Sequence, residues 1–432
     1  MRFGRLRRGW TTTDVYHCQR PARIGATWGS ALLTAALALC GCAEDDGGGG
    51  ANPGGNGGDN AAGGTSTGTG GGGGTAGSGG EAPPVECVPA EGPGATSTDS
   101  WSDDPYLATV TIADRDSCAR SYTLSTDAPL RDDEPDNPRT FDERGGWPVL
   151  RSGHDMFDAL YALALQEVRE DSVDSIQDGA FNRGASVPCP PGGCFETGRL
   201  WTYVWTRDTA YAVLLGLGLL DPQRAKNSLD FKLSERRGGG DLQIVQDTGT
   251  GGSYPISSDR VVWAMGAWEL LKYLEGAERS AFVDRAYEAM ANTADHDRVV
   301  VFDPVDGLYR GEQSFLDWRE QSYPDWTATD TVQIGTSKSL STNVGHYHLL
   351  WTTAQLAAEK GQNTESATYQ GWADALKSAI ANRFHLSSTG MLSTFSTTFL
   401  DPAPTERYDL LGSALAVQFD VASAQQAETI IS

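Results

Sequence analysis

From Gly153 onward the apolar positions recur at spacings of three and four, the repeat of one face of an α-helix. Phe157, Leu160, Tyr161, Ala164 and Val168 form the first such stripe. Ala210 to Leu220 is apolar on every side, which predicts a helix buried all round. Asp221-Pro222 caps and starts the next helix, with proline at its tolerated first position. Arg260 to Leu274, carrying Trp263 and Trp268, predicts a long helix, and Phe282, Ala286, Met290 and Thr293 mark another. Val344 to Lys360 stops at Gly361, where a left-handed residue commonly ends a helix. Tyr369, Trp372, Ala373, Leu376 and Ile380 make an amphipathic stripe, and two short helices near Leu410–Phe419 and Val421–Ile431 finish the chain. These nine predicted helices alternate between very apolar and amphipathic. Concentric rings of helices require that alternation, because inner helices are buried on all sides and outer ones are wetted on one face. A plain up-down bundle would give helices more alike, joined by short loops.

Upstream the pattern changes. Residues 85–145 are rich in Asp, Pro, Thr and Ser, with short strands predicted at Leu107–Ile112 and Ser121–Leu124, a β or irregular lead-in to the helical domain at 146–432. Residues 42–84 are dominated by Gly, Ser, Thr, Ala and Asn. Lacking apolar residues to offset the entropy of ordering, they predict a flexible linker. Residues 1–41 begin with Arg2, Arg5, Arg7, Arg8, Arg20 and Arg23 and continue into the apolar run Ala31–Leu39, the order of an export signal. That run is shorter than the ~20 residues a spanning helix needs. Leu39-Cys40-Gly41-Cys42 resembles a bacterial lipobox in which Cys42 is lipidated. The linker behind it suits a chain tethered to the cell envelope on its periplasmic or cell-surface side.

Charge narrows the partners. The chain carries 33 basic and 57 acidic residues, and loss of residues 1–41 leaves 27 and 56, a net −29. So acidic a surface repels nucleic acid and anionic membranes, while neutral sugars are unaffected. Of seven cysteines, Cys18 and Cys40 lie in the signal and Cys42 at the anchor. Cys87, Cys118, Cys189 and Cys194 remain, an even set in an exported chain, which suggests the disulfides Cys87–Cys118 and Cys189–Cys194. No histidine lies near them, which argues against zinc, and neither a metal nor a cofactor is expected.

Two inter-helix connections are long, Ser234–Asp259 and Val299–Asn343, and loops of that length in a compact domain are usually functional. Ahead of the apolar helix stands Trp201-Thr202-Tyr203-Val204-Trp205-Thr206-Arg207-Asp208. Rings there could cover the apolar face of a sugar while Arg207 and Asp208 bind hydroxyls; equally, Asp208 could cap the helix and the tryptophans be core. Gln246-Asp247 to Ser258-Asp259-Arg260 is glycine-rich, and Asp259 reads either as a site residue or as a helix start. Gly307 to Trp326 interleaves Glu312, Asp317, Glu320 and Asp325 with five aromatic residues. An acid flanked by Phe315 and Trp318 is desolvated toward a general acid's pKa, and Arg319 pulls the other way. His346 and His348, two apart, point to different sides of a helix and do not form a metal pair.

Trp205-Thr206-Arg207-Asp208 resembles the Trp-x-Arg-Asp signature of six-hairpin glycosidases, the fold of glucoamylases, trehalases, debranching glucosidases and α-L-rhamnosidases. Ser258-Asp259-Arg260-Val261-Val262-Trp263, Gly307-Leu308-Tyr309-x-Gly311-Glu312 with Leu316-Asp317-Trp318, and Ser341-Thr342-Asn343 come after it in the superfamily's order. The nearest likeness is to a group of bacterial lipoproteins in it, over residues 100–432. The resemblance implies an all-α (α/α)6 toroid acting on an α-linked oligosaccharide or polysaccharide, with inversion, and a monomer is expected. It implies Arg207 and Asp208 in the −1 subsite, with Asp259 in the binding set, and Asp317 as general acid with Glu312 the alternative and Glu320 behind it. Trp205, Trp318 and Trp326 would be stacking walls, and Asn343 and His346 polar lining. Twelve helices complete such a toroid, and the chain stops in a helix at Ile431-Ser432. An incomplete ring, with the general base beyond Ser432, is therefore expected. Two other readings stay open: a degenerate glycan-binding lipoprotein without turnover, and an (α/α) polysaccharide lyase using Asn, His, Tyr and Arg.

Overall fold

A computed structural model of the chain describes residues 94–117, 119–130, 135–178, 182–235, 240–247, 258–312, 331–396 and 407–432. The chain divides into two units, residues 1–164 and 165–432.

In the first unit, β1 (Ser97–Asp103), β2 (Tyr106–Ala113), β3 (Ser121–Thr126) and β4 (Arg139–Asp142) form an antiparallel meander in chain order. The strands expected at 107–112 and 121–124 are its two central members. Alternation sends Val110, Ile112, Tyr122, Leu124 and Phe141 to one face, where Ala159, Ala162 and Leu163 pack on them. Those three belong to α1 (Asp155–Glu170). The opposite face is hydroxyl-lined, with Thr109 and Ser125 bonded at 2.7 Å and Thr123 and Thr140 at 3.2 Å.

The second unit is mainly helical. Short strands β5 (Ser172–Val173), β6 (Ser175–Ile176), β7 (Val187–Pro188) and β8 (Cys194–Phe195) lead into α2 (Thr206–Ala212) and α3 (Pro222–Phe231). The hairpin β9 (Leu233–Glu235) with β10 (Leu242–Ile244) precedes α4 (Ser258–Leu270) and α5 (Gly276–Val300). The hairpin β11 (Phe302–Asp303) with β12 (Leu308–Tyr309) comes before α6 (Thr331–Thr336), α7 (Leu340–Glu359), α8 (Asn363–Arg383), α9 (Leu410–Gln418) and α10 (Ala424–Ile431). Each of the nine predicted helices has a counterpart, and α6 is an addition to them among the described residues. Local chemistry sets several ends. Asp221 caps α3 by accepting from Arg224 N–H at 3.0 Å. Gly361, at φ 74°, closes α7, with the amides of Gly361 and Gln362 returning to the carbonyls of Ala358 and Ala357.

Two expectations are corrected. The apolar run 210–220 is not one helix buried all round: α2 passes into a π turn at Val213–Leu217 with a non-helical Gly216, and Leu219 is exposed. A π turn adds a residue to the repeat and rotates the downstream residues, so an apolar run no longer keeps one phase. Helix α7 starts at Leu340 rather than Val344, so Ser341-Thr342-Asn343 lies inside it. The hydroxyls of Ser339 and Thr342 donate to the carbonyl of Glu312, a tertiary partner that the local sequence does not reveal.

Helices α2, α4 and α7 pack side by side through α4, and small residues set their spacing. A Cβ at Gly266 would stand 2.7 Å from the carbonyl oxygen of Ala210, and one at Gly345 would stand 2.6 Å from Val261 Cγ2. Gly266→Ala is expected to cost about 1–3 kcal/mol, because backbone rather than a pliable side chain must move; urea unfolding measures it. Helix α8 packs along α7, and α5 contacts both α4 and α7.

Candidate active site

Helix α2 begins at an extended Trp205 whose side chain does not cap it. Its first turn holds Arg207, buried, and Asp208, exposed, with Trp205 half-buried beside them. The N–H of Thr206, which has no acceptor within the helix, is met from outside it by Asp247 Oδ1 at 3.2 Å. Asp259, in the first turn of α4 and fully buried, accepts the backbone N–H of Asp247 at 2.7 Å. Ser258, one residue earlier, donates its hydroxyl to Glu312 Oε1 at 2.9 Å, and Glu312 is also fully buried. Two helix starts and the end of the β11–β12 segment therefore meet in one place.

Electrostatics ties them together. Burial alone would lower the Arg207 pKa, but Asp259, Asp208 and Glu312 outweigh it and hold the guanidinium above its ordinary range. Next to this cluster, Lys232 is buried and ion-paired with Asp247, and its ammonium donates to the Tyr203 hydroxyl at 3.1 Å. Asp247 is pushed up to about 6, first by burial, with Lys232 pulling it down and Asp259 pushing it further up. Burial first, then Asp247 and Asp178, raise the Tyr203 phenol well above its ordinary value. Asp208, Asp259 and Glu312 thus act on Arg207, and Asp259 also acts on Asp247, the partner of Lys232.

Arg207 therefore lies within electrostatic reach of Asp208, Asp259 and Glu312. Asn343 is a correction. Its amide nitrogen donates to the carbonyls of Tyr309 and Ser339 at 3.0 and 2.9 Å, and its oxygen accepts Tyr309 N–H at 2.8 Å. Both amide hydrogens are taken up, so Asn343 clamps β12 instead of lining a sugar site. His346 is buried and stacked on the Tyr309 ring at 3.9 Å between centroids, a packed residue behind the hairpin. Burial pushes it down to about 4, with Asp297 opposing and Arg260 assisting.

His348 stacks on Phe419 and Trp351, and burial first, then Lys272, pushes it down to about 3. A histidine kept neutral in the fold gives stability that is complete above its unfolded pKa, about 6.5, and is lost as pH falls below it toward the folded value. His348→Gln should therefore flatten the acid side of the unfolding free energy by about 1.4 kcal/mol per pH unit between pH 6 and 4. Urea titrations of both proteins across that range would show it.

Asp317, Trp318, Glu320 and Trp326 lie outside the described residues, as do Cys42, Cys87 and Cys118. Cys189 and Cys194 form the expected disulfide across Cys-Pro-Pro-Gly-Gly-Cys. The Asn227 amide holds that loop at the carbonyls of Pro191 and Gly193, 3.1 and 2.9 Å away. Among the described residues no cluster of three or more His, Cys, Asp or Glu side chains is placed to hold a metal, and no helix is long and apolar enough to cross a membrane. Lys232 and the role of Asp247 are absent from the sequence-derived set. Lys232 stands directly at a helix end, where a solvated cation is the ordinary expectation, so no local signal marks it.

Residues 208–430 match the family described as the bacterial alpha-L-rhamnosidase 6 hairpin glycosidase domain, more than half of the chain, and the chain belongs to that family. Among solved structures it is similar to a GH78 family rhamnosidase of Bacillus sp. GL1, at 16% identity and a TM-score of 0.37, covering 52% of this chain and 22% of that one. No curated protein matches it.

Proposed function

We propose that this chain is a glycoside hydrolase acting on an α-linked sugar, with a terminal α-L-rhamnoside the first substrate class to test. The observation that carries this reading is the gathering of Asp208, Asp259 and Glu312 on the buried Arg207. Glycoside hydrolysis passes through an oxocarbenium-like transition state, and carboxylates held beside the sugar would stabilise that charge where a neutral sugar has none to offer. Arg207 and Asp208 bind the sugar hydroxyls beside Trp205, Asp317 protonates the leaving oxygen, and Glu312 is the carboxylate that faces the developing charge. The helical unit is the working part of an (α/α)6 toroid at 146–432, displayed beyond the linker 42–84 by a lipid on Cys42, outside the inner membrane and as a monomer. A carboxylate on the opposite face of the sugar would activate water, with inversion.

The lyase alternative loses support, since Asn343 and His346, two of its candidates, are held in packing. The test is sugar release from 4-nitrophenyl α-L-rhamnoside and from α-linked oligosaccharides by the full chain. Asp317→Ala is expected to lower turnover by about 10²–10⁴-fold with the fold intact. An unchanged rate removes Asp317 as the acid, and binding without release by the wild type supports the glycan-binding alternative. A product absorbing in the near ultraviolet marks elimination instead.

A further inference from the structure

We propose that Asp247, fixed by Lys232, is the positioning residue that ties the start of α2 to the start of α4 and so sets Arg207 against Asp259. For its effect on catalysis the inference rests on the glycosidase reading above; for its effect on structure it does not. Three bonds from one residue make the tie. Asp247 Oδ1 accepts the N–H of Thr206, the residue before Arg207. Its own N–H donates to Asp259 Oδ2. Its Oδ2 is paired with the Lys232 ammonium.

The need for such a residue is visible in α2 itself. Its N-terminal residue, Trp205, has no oxygen with which to cap, so the donor at Thr206 depends on a partner distant in sequence. A carboxylate there also faces the positive end of the helix. Lys232 keeps that carboxylate in place: it is buried, lies over the Tyr203 ring at 4.3 Å and donates to the Tyr203 hydroxyl, which leaves it little freedom. The charged and titratable groups around Asp247 are Lys232, Asp259 and Tyr203, with Arg207, Asp208 and Glu312 beyond Asp259. Burial and Asp259 both favour the protonated acid, and Lys232 opposes them. The pair thus matters to the site without touching substrate. Loss of the tie would let the Arg207 turn move relative to Asp259, and a displacement of about 1 Å near a reacting centre costs on the order of 100-fold in rate.

The test uses two double variants, because removing one member alone would strand a buried charge. K232M/D247L removes both charges and the acceptor for Thr206, whereas K232M/D247N keeps an amide oxygen there. Hydrogen exchange of the amides at Thr206–Asp208 and steady-state kinetics are read on the full chain. In K232M/D247L the amides are expected to exchange at least about tenfold faster and kcat to fall about 100-fold. In K232M/D247N both should return to within about tenfold of the wild type. Unchanged exchange at Thr206 in the Leu variant overturns the proposal, as does an Asn variant impaired as fully as the Leu variant. If K232M/D247L does not fold, K232M/D247A takes its place with the same expected and contrary outcomes. A wild type that releases no sugar from any α-glycoside defeats the glycosidase reading alone, and the exchange measurement still decides the structural tie.

Discussion

Glu312→Gln is expected to lower kcat by about 10²–10³-fold while leaving the unfolding temperature close to that of the wild type. The substitution keeps the shape and the oxygen that accepts the Ser258 hydroxyl at 2.9 Å, so the contact between the β11–β12 segment and the start of α4 survives. It removes one of the three carboxylates whose charge acts on Arg207. A fully buried carboxylate such as that of Asp259 or Glu312 is costly unless hydrogen bonds and opposite charge meet it. In the proposed reaction the Glu312 charge also faces the positive charge that develops on the sugar. The kinetic split distinguishes the roles. A fall in kcat and kcat/KM together means that the charge acts in the transition state, whereas a raised KM with kcat unchanged means that Glu312 only binds. The second result would remove Glu312 from the chemistry and leave Asp317 to carry it.

How much of the fold and site is readable in the sequence depends on how local each determinant is. Gly361 and Asp221-Pro222 mark helix ends through the backbone of their own turn, and both do so here. The apolar stripe Phe282, Ala286, Met290 and Thr293 needs only a helical period, and each of these residues is buried in α5. Trp205-Thr206-Arg207-Asp208 is conspicuous for packing rings beside charge, and Arg207 does collect acids from two other segments. Non-local determinants stay hidden. Nothing near Lys232 shows that Asp247, fifteen positions on and across the β9–β10 hairpin, will neutralise it. Asn343 has the composition of a binding residue, and only the three-dimensional arrangement shows Tyr309 using both ends of its amide. Gly216 looks like one more small residue in an apolar helix, yet the π turn there undoes the burial that the composition implied.

The largest expected loss of stability comes from Arg260, next in sequence to Asp259. Its guanidinium pairs with Asp297 Oδ1 at 2.9 Å, and neither side chain has any exposure. The pair joins α4 to α5, and Gln243 of β10 lies 3.4 Å from the same guanidinium. Arg260→Met leaves the buried Asp297 with His296 Nδ1 at 3.3 Å but without the guanidinium, and breaking a buried ion pair from one side costs about 3–5 kcal/mol. The double variant R260M/D297L removes both charges and should regain most of that loss, since a buried ion pair gains little over well-packed apolar side chains once its desolvation is counted. Urea unfolding of wild type, single and double variants gives the three free energies required. A single variant as stable as the wild type would mean that water reaches the site on loss of Arg260 and solvates Asp297. Activity adds a second reading. Because Arg260 holds the turn of α4 that presents Ser258 and Asp259, the double variant is expected to regain stability more completely than turnover. Matching recovery of both would show that the first turn of α4 keeps its place without the ion pair, with Asp247 and Glu312 among its remaining contacts.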